Sequence, residues 1–347
     1  MVNFTILAGG YTSFVVSYLF NSDASTLTVL NQSPTGANPS WISLHPTNKS
    51  ILYAVNENDD GALQSFTIGP QGALTGPIGQ ISTGGGSPAF ESGISASRVA
   101  VMNYNTGNGK IVPTSADGLQ FSDAPVITFP AEVSHPHMAL EHGNEVLVPD
   151  LGADKVWRLI QDGAPGNFKI QGFIQQPAGS GPRHITVRNN MLFTVHELSS
   201  TVTQQAIPPA PNGTASLIAN LSILPPTIPA GSAFAGGEIL LREASPCFPQ
   251  PFLYVSNRNT GTQDPRGDTI AIFALEPKLH LVKQVYTGID QIRGMEFGGP
   301  EGEFLVAAGV AGRAGTMVFR RTKGGADLEL VTKNLDFPTR TSFVWLN

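Results

Sequence analysis

The chain has 347 residues, rich in glycine (38) and proline (27), with 41% hydrophobic and only 13% charged residues, which excludes a polar disordered chain and suits short strands joined by tight turns. A net charge of −6 and no basic run longer than Arg320-Arg321 leave nucleic acid without an electrostatic footprint, and no stretch approaches the ~20 apolar residues of a membrane span. Cys247 is the single cysteine, so no intrachain disulfide and no Cys-x-x-Cys zinc spacing is available; with no signal-like start at Met1-Val2-Asn3-Phe4-Thr5, a cytoplasmic location is expected.

The first elements are alternating runs, Phe4 to Gly10 and Phe14 to Phe20, then the turn Asn21-Ser22-Asp23 and the run Leu27 to Leu30, which predict strands joined by hairpins. From there a unit repeats: an irregular Gly/Pro lead-in, an alternating strand, a turn, a short β-rich run with a polar end, another turn and a further strand. The β-rich runs end at Asn56, Asn103, Asp150, His196, Asn257 and Ala308, in steps of 47, 47, 46, 61 and 51 residues. A near-constant step of this size means one supersecondary unit stacked many times.

The lead-ins are Asn38-Pro39-Ser40-Trp41, Gly86-Ser87-Pro88-Ala89, Ser134-His135-Pro136-His137, Gly181-Pro182-Arg183-His184, Gly236-Gly237-Glu238 and Gln291-Ile292-Arg293-Gly294. Their small residues predict close backbone packing where the chain crosses from sheet to sheet. Six repeats leave the N-terminal strands and Ser342 to Leu346 to share a seventh sheet, which closes the ring. The expected fold is all-β: one domain over residues 1–347, a seven-bladed β-propeller of four-stranded antiparallel blades. Residues 202–236, rich in proline, are expected as a surface excursion, and the polar segment 261–268 as a loop that could touch ligand.

Rotational equivalence places aligned positions around one channel. The lead-ins supply His135 or His137, Arg183 with His184, Glu238 and Arg293; the strand ends supply Asp150, His196, Glu197 and Arg258. Such a mouth suits a small anionic substrate, because guanidinium groups bind carboxylate or phosphate by two-point contacts and His or Glu can move a proton. Each residue also has a plainer reading. Asp150 could cap a turn, Arg183 and Arg258 could form structural ion pairs with Glu197 or Glu238, and one of His135 and His137 could only pack. His196 and Glu197 are adjacent in a strand and face opposite sides, so Glu197 is taken for the site and His196 for the structure.

His135-Pro136-His137, Val148-Pro149-Asp150-Leu151-Gly152-Ala153-Asp154-Lys155-Val156, Gly181-Pro182-Arg183-His184, Val195-His196-Glu197 and Tyr254-Val255-Ser256-Asn257-Arg258 together resemble the seven-bladed lactonase family. That family includes bacterial 6-phosphogluconolactonases and fungal enzymes that lactonise 3-carboxy-cis,cis-muconate. The resemblance implies an active site of a His, two Arg and a Glu with no metal or organic cofactor. Arg183, Glu197 and Arg258 match by motif, and the histidine falls on His137, ahead of His135. It further implies chemistry at a lactone ring, with Arg183 and Arg258 clamping substrate and His137 or Glu197 transferring a proton. A 3-carboxymuconate cyclase is the leading expectation, on a fungal look of the 261–268 loop and the Pro-rich segment. The alternatives are a 6-phosphogluconolactonase and a non-catalytic binding scaffold.

Overall fold

The computed structural model describes residues 2–95 and 97–346. Its strands form seven four-stranded sheets, and the helical content among the described residues is two 3-10 turns, Pro70–Gly72 and Lys323–Gly325. Blade 1 is composite, in the order Arg340–Trp345, Asn3–Gly10, Phe14–Asn21, Thr26–Pro34, with the last strand antiparallel to the first through Ala8 opposite Phe343 and Leu7 opposite Val344. Blades 2 to 7 follow in sequence as residues 42–82, 88–128, 140–175, 182–222, 234–286 and 292–334. This is the seven-bladed propeller expected from the repeat, closed between the chain ends.

The β-rich runs are the second strands, and their alternation has a direct packing cause. In Phe252–Asn259 of blade 6, Leu253 and Val255 join Phe193, Val195 and Val202 of blade 5. Phe252 and Tyr254 point the other way and join Met295, Leu305 and Ala307 of blade 7. Both faces are buried, so both parities are apolar. Seven such clusters, one per blade interface, make up the core. Each fully buried Leu, Val or Ile contributes roughly 1.5–3 kcal/mol, so stability is spread around the ring.

The polar residues at the strand ends secure the crossings. Asn56 donates to the carbonyls of Thr35 and Ala37, Asn103 to Thr83, and Asn257 to Ile223, all carbonyls of the segment arriving from the preceding blade. Asp150 answers the same need as an acceptor, and its two oxygens take hydrogen bonds from the amides of His135, Gly152 and Ala153, the Ser134 hydroxyl and the Trp157 indole. The expected substrate role of Asp150 is therefore corrected: fully buried and occupied by five donors, it is a turn cap.

The long step before blade 6 has a similarly plain origin. Residues 202–236 are not one surface excursion, because they carry blade 5's third strand, Thr201–Ala206, and its outer strand, Leu217–Ser222. The turn between these strands offers the Pro208 and Ala210 carbonyls to the buried Arg158, which also pairs with Glu145. The 261–268 loop is likewise structural. Asp268 accepts from the amides of Asn259 and Gln291, and Asp264 pairs with Arg266.

The innermost strands line an axial channel. Where they run on past their lead-ins they enclose a chamber of about 600 Å³ walled by Trp41, Phe90, Phe297 and Trp345 and bordered by Glu91, Glu238 and Glu296. Burial pushes the Glu91 carboxyl up to about 8, opposed in part by the Ser43 hydroxyl 2.8 Å away, and pushes Glu296 up to about 7.

Two outcomes follow from this architecture. A Cβ on Gly294 would clash with the Thr341 carbonyl of the closing strand, so Gly294→Ala should cost about 1–3 kcal/mol, read as a lowered urea midpoint. Glu91 has a folded-state value above its ordinary 4.5, so its contribution is complete below that pH and is lost as pH rises towards about 8. The thermal midpoint should accordingly fall over that interval, and Glu91→Gln should flatten the fall.

Candidate active site

At the lead-in end of the channel lies a smaller chamber of about 230 Å³, lined by Glu57, Ser87, Ala89, Tyr104, Asn105, His137, Glu197 and Arg293. The repeat explains which residues gather in and around it. Glu57, Tyr104, Glu197 and Arg258 each follow the polar strand-end residue, and the lead-ins contribute Ser87, His137, Arg183 and Arg293. Side chains remote in sequence thus converge because each occupies the same place in its own blade.

Glu197 is the electrostatic centre. Its Oε2 lies 2.9 Å from Arg183 Nε and 2.6 Å from Arg258 Nη2. Both arginines are further fixed by backbone carbonyls: Arg183 Nη1 donates to Gly237 at 2.6 Å, and Arg258 donates twice to Gly236, at 3.1 and 3.2 Å. Their flat guanidiniums suit this close, multi-point arrangement where no water can substitute. Burial by itself would raise the Glu197 carboxyl, but Arg258, Arg183 and Arg293 outweigh it and hold the group below its ordinary value. Burial and the facing Arg258 and Arg293 press the Arg183 guanidinium downward in turn.

Arg293 differs from these two. Among the described residues it has no ion pair; its guanidinium stands 5.6 Å from the Tyr11 ring centroid and borders the chamber. Burial would lower it, but Tyr11, Glu57 and Glu197 overcome that and keep it strongly cationic. The ion pairs of Arg183 and Arg258 with Glu197, first weighed as a structural alternative, are thus present and belong to the site as well. Among the described residues they leave Arg293 as the chamber's guanidinium without a carboxylate partner.

The two histidines separate clearly. His135 stacks on Tyr104 at 4.5 Å, with Nδ1 2.7 Å from the Tyr104 carbonyl, and does not line the chamber. His137 is 3% exposed, borders the chamber, and has Nδ1 3.2 Å from His184 Nε2. Burial, with Arg183, His184 and Arg293 nearby, drives His137 well below the ordinary histidine value, so its ring is neutral at pH 7. His196 faces away from Glu197, buried and hydrogen-bonded to Thr203 at 2.9 Å. Glu238, expected to bind substrate, does not line this chamber; its Oε1 is 2.6 Å from His184 Nδ1.

Sequence reasoning passed over Glu57, Tyr104 and Tyr11. Glu57 and Tyr104 stand one residue beyond Asn56 and Asn103, the repeat position of Glu197 and Arg258, so their register was the available signal. Tyr11 follows the first strand of the composite blade, outside the regular repeat. It donates to Glu57 at 3.4 Å.

The comparisons with known proteins bear on the family and the fold. The chain is 26% identical over 322 residues to an Arthroderma benhamiae protein named "Probable 6-phosphogluconolactonase", covering 87% of this chain and 78% of that protein. The periplasmic gluconolactonase PpgL of Pseudomonas aeruginosa superposes with a TM-score of 0.86 at 22% identity, over 100% of this chain and 99% of that one. A Lactobacillus plantarum protein superposes with a TM-score of 0.83 at 24% identity, over the whole of both chains. The profile of the family described as "Lactonase, 7-bladed beta-propeller" matches residues 5–345. With that match spanning every blade, the chain belongs to the seven-bladed β-propeller lactonase family.

Proposed function

We propose that this protein is a lactone hydrolase of the 6-phosphogluconolactonase type, acting on a small lactone that carries one anionic group. The observation that carries the reading is the state of the two proton-transfer residues. Glu197 is held ionised between two guanidiniums, and His137 is held neutral. Closing a lactone onto an alkene requires a proton donor to carbon, a role that the lowered values of Glu197 and His137 disfavour. Hydrolysis requires a base, which His137 supplies. The relative named as a 6-phosphogluconolactonase supports the same choice over the cyclase. The loop 261–268, which had favoured the cyclase, lends it no support, since its residues secure blade 6 rather than line the chamber.

In this scheme Arg293 takes the phosphate or carboxylate of the substrate, and the chamber's small volume admits a single sugar-sized ring. His137 accepts a proton from water as the hydroxide oxygen adds to the lactone carbonyl. The Arg183 and Arg258 guanidiniums, locked by Glu197 and the Gly236 and Gly237 carbonyls, supply a fixed positive field for the developing oxyanion. Collapse of the tetrahedral intermediate breaks the ring C–O bond, and the departing alkoxide takes the proton back from the His137 imidazolium. The product is the open hydroxy acid, which ionises in water. Cys247 is exposed and unpaired, and among the described residues no helix is long and apolar enough to cross a membrane.

Purified protein should accelerate acid release from 6-phosphogluconolactone in a pH-stat while leaving the ultraviolet absorbance of 3-carboxymuconate unchanged. Turnover of the muconate without turnover of the lactone would replace this reading by the cyclase. Arg293→Ala should raise KM for the phosphorylated lactone about 10- to 100-fold, the loss of one charged hydrogen-bonding partner, with a smaller effect on an uncharged lactone. His137→Gln should lower kcat about 10²- to 10⁴-fold.

A further inference from the structure

Three buried groups in three successive blades form a line between the two chambers, and hydrolysis as described uses only one of them. Glu238 Oε1 is 2.6 Å from His184 Nδ1, and His184 Nε2 is 3.2 Å from His137 Nδ1. Their residues are 4%, 0% and 3% exposed. His184 packs edge-on against the contacting rings of Trp41 and Phe90, 5.2 and 5.7 Å away between centroids, and meets the His137 ring edge-on. Glu238 is anchored in the irregular turn of its strand between Gly236 and Ile239. Its Oε1 also accepts from the Ile239 amide at 2.9 Å, and its own amide donates to Ser256 Oγ at 2.8 Å.

Hydrogen-bonding capacity dictates the protons along this line. A carboxylate oxygen only accepts, so His184 carries hydrogen on Nδ1. Burial keeps the His184 ring neutral, which leaves its Nε2 as a lone pair. His137 must then donate from Nδ1, and its lone pair is on Nε2. Among the described residues no hydrogen bond engages that Nε2, and His137 borders the chamber with Glu197 and Arg293.

We propose that Glu238 and His184 are positioning residues: in series they hold His137 as the Nδ1–H tautomer with its basic Nε2 free for substrate water, and they offset the charge on the imidazolium. The proposal rests on His137 being the base of the hydrolysis. The surroundings show why such support is needed. His137 faces Arg183, Arg293, His184 and the Tyr104 ring, and His184 faces Arg183 and Arg293 besides Glu238. The guanidiniums oppose a positive imidazole, and Glu197 is already committed to Arg183 and Arg258. Glu238 is the carboxylate on the other side of the pair. Its role thereby moves from contacting substrate to orienting the base.

The test combines kinetics with ¹⁵N spectra of histidine-labelled protein, in which only seven histidines appear and His137 is assigned by its loss in His137→Gln. Wild type should show His137 protonated at Nδ1. His184→Phe, which keeps an aromatic ring against Trp41 and Phe90, should abolish that preference and lower kcat about 10²- to 10⁴-fold, with KM within about threefold. His184→Gln, whose amide can accept from His137 and donate to Glu238, should recover part of the loss. Glu238→Gln keeps the acceptor and removes the charge, so it should preserve the tautomer while moving the acidic limb of the kcat/KM profile, set by protonation of His137, to lower pH. Unchanged His137 tautomer and kcat in His184→Phe would overturn the proposal. If wild type hydrolyses no lactone, the hydrolase reading fails and the ¹⁵N spectra still decide whether Glu238 and His184 set the His137 proton.

Discussion

Closure of the ring is the constraint on which everything else in this molecule depends. The strand Arg340–Trp345 pairs with Asn3–Gly10, so the chain's two ends share one sheet and each blade has a neighbour on both sides. That arrangement lets seven separate apolar clusters act as one core, and it fixes the radius of the channel. The inner strands come so close that Gly9, Gly237 and Gly294 each stand where a side chain would meet neighbouring backbone. It also obliges the crossings to satisfy their buried carbonyls, which explains the asparagine that ends three of the second strands, Asn56, Asn103 and Asn257.

Polar chemistry gathers at one end of the channel because that end is where second strands finish and inner strands begin. Three guanidiniums and the carboxylates of Glu57 and Glu197 share a small space there. Glu197 neutralises its two partners only in part, and the surplus of positive charge suits an anionic ligand. Arg183 and Arg258, rigidly tied to blade backbone, are preorganised; Arg293, with an aromatic neighbour and no carboxylate partner among the described residues, is available. Desolvation strengthens all of these interactions, and it also keeps His137 neutral.

The same burial produces different outcomes elsewhere in the channel. Glu91 and Glu296, with no guanidinium paired to them, are pushed towards their neutral forms, whereas Glu197 is held charged. One residue type thus serves two purposes, decided by whether an arginine lies within reach. The larger chamber is the more apolar one, and on the side of the smaller it is bordered by the His184 ring, packed against Trp41 and Phe90.

The sequence by itself determined the number of blades, the composite closing blade, the near absence of helix and the lactonase resemblance, because these depend on a repeat and on short-range alternation. It also singled out Arg183, Glu197, Arg258, Arg293 and His137, whose positions are set by register within the repeat. Only the tertiary structure decided what each group does. Asp150 shares its repeat position with Asn56 and Asn257, and nothing short of its five donors distinguishes a turn cap from a ligand contact. Glu238 and His184 lie 54 residues apart, and their bond exists only because adjacent blades bring their inner strands together. Likewise Glu57 and Tyr104 were visible at the right register, but a repeat position gives no direction for a side chain. The physical reason is common to all these cases: pattern along the chain specifies which face a residue occupies, whereas partners, burial and charge state arise from contacts between blades.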